Sequence, residues 1–286
     1  MVLRTENLNY VYSEKTPFEK AAVKNINISI EENDFIGLIG HTGSGKSTLV
    51  QHFNGLMRPS SGTVYFEDKD IFDKNYNLSE LRFKVGLVFQ YPEYQLFDET
   101  VEKDISFGPR NMGLTENEIK ERVDEAAQIV GLKSDLLSKS PFDLSGGEKR
   151  RAAIAGVIAM RPKVLILDEP TAGLDPLGRD LILDMLKNYR KEHNTTVILV
   201  SHSMEDIARV ADKAIVMNKG EVFMYDTVEN VFSQGEKLQK IGLNIPQVTK
   251  IFIELKQRGI DVPQNVFTLD KAEQILFKLF KKEGVQ

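Results

Sequence analysis

The strongest constraint on this chain is a glycine-rich loop set between an apolar run and a helix-like run. Gly40, His41, Thr42, Gly43, Ser44, Gly45, Lys46 and Ser47 fit the pattern G-x-x-x-x-G-K-[ST], after the strand-like Phe35 to Ile39 and before the helical Thr48 to Phe53. The glycines let successive backbone N–H groups curl around phosphate oxygens at a helix N-terminus. In that arrangement Lys46 reaches the β and γ phosphates and the Ser47 hydroxyl ligates Mg²⁺, so the loop implies a nucleoside triphosphate held on an α/β core.

The surroundings of the loop agree with such a core. Phe35 to Ile39, Val164 to Leu167 and Thr195 to Val200 are short apolar runs separated by helix-like stretches, as a parallel sheet covered on both faces requires. Asn25 to Ile30 and Thr63 to Phe66 instead suit strands of a partly exposed antiparallel sheet near the N-terminus. Residues of about 78–140 have a helical look and read as an inserted helical subdomain. Its best helix opens with Thr115 three residues before Glu118, a capping-box spacing, and stops at Gly131. After about Gln234 the polar SQGEKLQK reads as a linker. Two amphipathic helices follow it, one with Val248, Ile251, Phe252 and Leu255 on a face and one with Ala272, Ile275, Leu276, Leu279 and Phe280. The domain division is therefore 1–234 for the main unit and 235–286 for a helical extension. Two placements fit the extension's apolar faces, a subunit contact and packing onto its own core.

Composition removes several function classes. The 37 basic residues stand against 42 acidic ones, a net charge of −5 that gives no field to draw nucleic acid onto the chain. There are no cysteines, which excludes disulfides and thiol chemistry and suits a reducing cytoplasm. No window approaches the roughly 18 to 20 apolar residues of a membrane-spanning helix, and the N-terminal MVLRTENLNY lacks the parts of a signal peptide. Any membrane role is expected to come through partners.

Val164 to Leu167 ends in Asp168 and Glu169, and carboxylates at the C-terminal end of a parallel strand face the ligand crevice. Asp168 is expected to hold Mg²⁺, whereas Glu169, one residue on, can turn toward the γ-phosphate and polarise the attacking water as general base. The decisive segment is Leu144-Ser145-Gly146-Gly147-Glu148, which closely resembles the signature LSGGQ of the ABC ATPases. The resemblance runs from Met1 to about Gln234. It implies that Ser145, Gly146 and Gly147 form a second anion cradle, closing on the γ-phosphate held by the P-loop of a partner ATPase in a head-to-tail dimer.

The same resemblance gives roles to residues that carry little signal alone. Tyr12 matches the aromatic residue that stacks on adenine. Gln90 matches the Q-loop glutamine that contacts Mg²⁺ and water, Asp175 the D-loop aspartate at the dimer interface, and His202 the switch histidine that senses the γ-phosphate. The catalytic set is then Glu169, His202, Lys46 and Gln90, with Mg²⁺ on Ser47, Gln90 and Asp168. The ATP-binding set is Tyr12, Gly40 to Thr48, Ser145, Gly146, Gly147 and Asp175. Glu148 stands where glutamine is commoner. Because a carboxylate is repelled by triphosphate, its side chain is expected to point toward ribose or solvent.

Phe89-Gln90-Tyr91-Pro92-Glu93-Tyr94-Gln95-Leu96-Phe97 looks like the extended Q-loop of the ATPases of energy-coupling factor transporters, and Thr16 to Ala22 resembles the second of their two ATPase subunits. These vitamin and metal importers pair two ATPases with a transmembrane coupling subunit and membrane proteins that bind substrate. The resemblance thus implies a peripheral subunit on the cytoplasmic face of the cell membrane. Glu93, Asp98, Glu99, Glu102 and Asp104 put acidic charge beside the Q-loop, where a basic coupling helix would dock; a solvated acidic loop is the alternative. An ordinary ABC importer or exporter ATPase is the nearest competing function. A soluble ABC ATPase of DNA repair or translation would carry a long coiled-coil insertion or a second ATPase domain, and neither is present.

Overall fold

The computed structural model describes residues 1–282 of the 286. The chain opens with β1 (Leu3–Tyr12), β2 (Lys20–Ile30), β3 (Phe35–Gly40), α1 (Lys46–Phe53), β4 (Ser61–Phe66) and β5 (Lys69–Asp70). It continues through α2 (Leu78–Lys84), β6 (Val85–Val88), α3 (Val101–Asn111), α4 (Glu116–Ile129), α5 (Gly146–Ile158), β7 (Val164–Asp168) and α6 (Pro176–His193). The remainder is β8 (Thr196–Val200), α7 (Met204–Val210), β9 (Lys213–Asn218), β10 (Glu221–Thr227), α8 (Val228–Ser233), α9 (Gly235–Lys240), α10 (Gln247–Gln257) and α11 (Leu269–Lys282).

The strands form two sheets, ordered β2-β1-β4-β5 and β10-β9-β3-β8-β7-β6. The first is antiparallel; in the second every pair from β9 to β6 is parallel, and only β10 runs against its neighbour. Side chains of the central strands alternate between two cores, as the period of a strand dictates. Ile36, Leu38, Val164, Ile166, Ile198 and Val200 face the antiparallel sheet and α1. Phe35, Ile39, Leu165, Leu167, Val197 and Leu199 face the helices. The continuous apolar runs thus belong to strands covered on both faces.

The strand-like Val85 to Phe89 interrupts the helical stretch of about 78–140. Val85 to Val88 pairs with Val164 to Leu167 as the edge of the parallel sheet, and Leu81 of α2 packs into the sheet-side core. The helices beyond it join α5 instead: Ile105, Val123, Ala127, Ile154 and Ile158 share one core. α4 carries the expected capping box between Thr115 and Glu118, and Gly131 follows it at φ 68°.

The extension differs most from its sequence reading. SQGEKLQK is not a linker; it contains α9, whose Leu238 is fully buried in the main core with Leu243, Ile245 and Phe267. α10 and α11 pack largely on each other through Val248, Phe252, Ala272, Ile275, Leu276 and Leu279. Ile251 and Phe280, expected on the same apolar faces, are exposed. The last residues of the extension, 283–286, lie outside the described residues.

Candidate nucleotide site

The loop after β3 is shaped by close main-chain approaches. Gly45 has φ 103°, and a Cβ there would stand 2.4 Å from the Ala22 carbonyl oxygen, so only glycine fits this turn into α1. Lys46 Nζ lies under the loop and donates to the carbonyls of Gly40 at 2.8 Å and His41 at 3.1 Å. Ser44 points inward: it is buried, its N–H donates to the His41 carbonyl, and its own carbonyl accepts from Gly220. Gly40, His41, Thr42, Gly43, Gly45, Lys46, Ser47 and Thr48 form one wall of a cleft of about 620 Å³.

Gln90, Asp168, Glu169 and His202 line the same cleft. Asp168 ends β7 and is almost wholly buried. Burial pushes its carboxyl above the ordinary range, opposed by a hydrogen bond with the Ser47 hydroxyl; Glu169 adds to the rise and Lys46 resists it. Burial likewise lowers the Lys46 ammonium, against the pull of Glu169 and Asp168. Glu169 follows the strand at φ 52°, a left-handed conformation uncommon outside glycine, which breaks the pleat. Its Oε2 accepts from Gln90 Nε2 at 3.0 Å, and its Oε1 lies 3.5 Å from His202 Nδ1. His202 remains mostly exposed, at 71% of its side chain. Residues that follow three separate strands, β6, β7 and β8, therefore meet at one carboxylate.

Tyr12 sits at the end of β1 beside this wall. Its hydroxyl is 3.0 Å from Thr48 Oγ1, and its ring meets Tyr10 edge-on at 4.9 Å between centroids. Tyr12 itself, like Ser145, Gly146, Gly147 and Asp175, does not line the cleft. Ser145 caps α5 and Asp175 caps α6, accepting from Gly178 N at 3.0 Å. Glu148 is partly exposed and lies away from the cleft, with its carboxylate turned to the start of its own helix. It folds back to accept from Ser145 N at 2.9 Å and Ser145 Oγ at 2.6 Å, and these bonds hold its carboxyl below the usual range. The spacing S-x-x-E, used for Thr115 and Glu118, was the signal for it.

Two features carried no clear sequence signal. Arg150, buried in α5, pairs with Glu93 through Nη2–Oε1 at 2.7 Å and Nε–Oε2 at 3.1 Å, and its Nη1 donates to the carbonyls of Pro170 and Ala172. It thereby ties the signature helix to the Q-loop segment and to the turn after Glu169. The acidic set beside the Q-loop shrinks accordingly: Glu93 is spent on Arg150, and Asp104 is buried, accepting from Phe97 N and Asp98 N. Asp98, Glu99 and Glu102 remain toward solvent, with Glu99 paired to Lys103. The second feature is that Met204, Gly242, Leu243 and Asn244 complete the cleft.

Comparison with known proteins points the same way. The family model described as ABC transporter matches residues 23–172. An energy-coupling factor transporter ATP-binding protein EcfA2 of Caldanaerobacter subterraneus is 54% identical, over 98% of this chain and 98% of that protein. The protein of the same description in Clostridium perfringens is 55% identical, over 99% and 100%. Among solved structures, cbiO1 from Clostridium perfringens, described as part of the ABC transporter complex cbiONQ, superposes with a TM-score of 0.74 at 42% identity, over 86% of this chain and 96% of that one. A dimeric ATP-binding cassette bound to ADP and Pi gives 0.69 at 26% identity, over 79% and 98%. With the P-loop, the paired carboxylates and the signature all in place, this chain belongs to the ABC transporter ATPases, within the family of energy-coupling factor transporter ATP-binding proteins.

Proposed function

We propose that this chain binds and hydrolyses ATP as one of the two ATPase subunits of an energy-coupling factor importer. The observation that carries the reading is the meeting of Lys46, Gln90, Asp168, Glu169 and His202 in the P-loop cleft. Glu169 takes the proton of the attacking water, oriented by Gln90 and His202 on its two oxygens. Lys46 and the loop N–H groups carry the triphosphate charge, and Tyr12 stacks on the base. Ser47, Asp168 and the free amide oxygen of Gln90 are hard oxygen donors, and the Ser47 hydroxyl already meets the buried Asp168 carboxylate, so the set suits magnesium. The metal, when bound, neutralises phosphate charge during transfer.

Ser145, Gly146 and Gly147 would serve the triphosphate of a second ATPase in a head-to-tail pair, with Asp175 at the seam. A membrane partner's coupling helix would dock in the apolar groove of Leu96, Phe97, Phe107 and Met160, beside Asp98, Glu99 and Glu102. On this reading residues 1–234 are the ATPase domain, 235–286 an extension fastened to it, and a further membrane protein binds the vitamin or metal ion carried. Protein partners hold the chain at the cytoplasmic face of the membrane; among the described residues no helix is long and apolar enough to cross it. The direct test is Glu169→Gln in the assembled complex. It should retain ATP binding while slowing hydrolysis by about 10² to 10⁴, and near-normal phosphate release would remove Glu169 from its role.

A further inference from the structure

The nucleotide cleft has a wall that the ATPase domain itself does not supply. α9 ends in a Schellman turn: Gly242 N donates to Gln239 O at 2.8 Å and Leu243 N to Leu238 O at 2.9 Å, with Gly242 at φ 79°. Leu238 and Leu243 are both buried in the main core, so the turn is fixed from beneath. This closure leaves the Ile241 carbonyl without a helical donor. His41, the second residue of the P-loop, fills the gap, with Nε2 2.7 Å from Ile241 O. A carbonyl oxygen only accepts, so Nε2 carries the proton. A Cβ on Gly242 would stand 3.0 Å from the same Nε2, which shows how closely the two loops are fitted.

We propose that His41 is a positioning residue that clasps the P-loop to the turn Ile241–Asn244, so that triphosphate binding and the placement of the C-terminal extension are coupled. The coupling has a physical route. His41 offers its main-chain carbonyl to Lys46 Nζ and its ring to Ile241. A triphosphate offers the same ammonium a charged and therefore stronger acceptor. Lys46 then exchanges the His41 carbonyl for a phosphate oxygen, that carbonyl keeps only the Ser44 N–H, the ring stays on the extension, and Leu243 and Asn244, which line the cleft, move with it or hold it. Leu243 and Ile245 share the main core, and from Pro246 the chain runs directly into α10. A shift at the turn is passed on to that helix.

The inference rests on the nucleotide-site reading above, and its test separates the two. ATP binding is measured by calorimetry on the full chain, and amide exchange of residues 241–257 is followed with and without ATP. Wild type should bind ATP, Lys46→Ala should not, and ATP should slow exchange in 241–257. His41→Ala should weaken ATP about fivefold, the size of one ordinary hydrogen bond, and abolish the change in exchange. His41→Gln, which keeps a donor at similar reach, should restore both to within about twofold. If wild type fails to bind ATP, the site itself is misread. If it binds ATP but exchange in 241–257 is indifferent to nucleotide, or His41→Gln is no better than His41→Ala, the coupling is overturned while the site stands.

Discussion

At the scale of single residues, Glu148 shows how one carboxylate can serve the fold inside a functional loop. Its pKa is depressed by the bonds from Ser145, so the stability it adds is present above its ordinary value of 4.5 and is lost as the pH falls through its folded value. Glu148→Ala should therefore cost about 0.5 to 1 kcal/mol at pH 7, the range of a helix cap. Thermal melts from pH 7 down to pH 3 should show wild type and variant converging in acid. A difference that stayed constant across that range would mean the box contributes nothing through its charge. There is also a functional side: Ser145 Oγ donates to Glu148, and in the role proposed for Ser145 a partner's phosphate would have to win that donor away.

At the scale of elements, Arg150 joins three segments that the chain keeps far apart. Arg150→Ala would leave Glu93 nearly buried, at 17% side-chain exposure, without its cation. Losing one member of such a pair costs about 3 to 5 kcal/mol. Urea unfolding should show the loss, and Glu93→Ala added on top should cost little more; full additivity would show that the pair is not coupled. This contact also marks where reading the sequence stops. The P-loop, Asp168, Glu169 and the strands that carry them were legible because apolar period and local spacing encode them. The Arg150–Glu93 bridge spans 57 residues and has no period, so nothing local announces it. The same holds for α9, where a single apolar Leu238 in a polar stretch looked like solvent-facing linker. The acidic cluster is narrower than its sequence for a related reason: Asp104 reads as surface charge but accepts from two backbone N–H groups, a role that only the turned chain reveals.

At the scale of the whole molecule, the extension is part of the ATPase body rather than an appendage. Removal of the residues beyond Gln234 is the test that belongs to this scale. Leu238, Leu243, Ile245 and Phe267 sit in the main core, and Leu243 also lines the cleft, so that truncation should lower both the melting temperature and ATP affinity. A truncated chain with unchanged melting and affinity would contradict the packing described. The two-core arrangement has a further consequence for how the molecule comes apart. The strands holding Lys46, Asp168 and His202 are covered on both faces, whereas β1, which ends at Tyr12, lies in a sheet with one face toward solvent. Under mild denaturant the weaker sheet should open first. On the role proposed for Tyr12, the protein would then lose its hold on the base while it still gripped phosphate, so a stressed molecule loosens its nucleotide before it releases it.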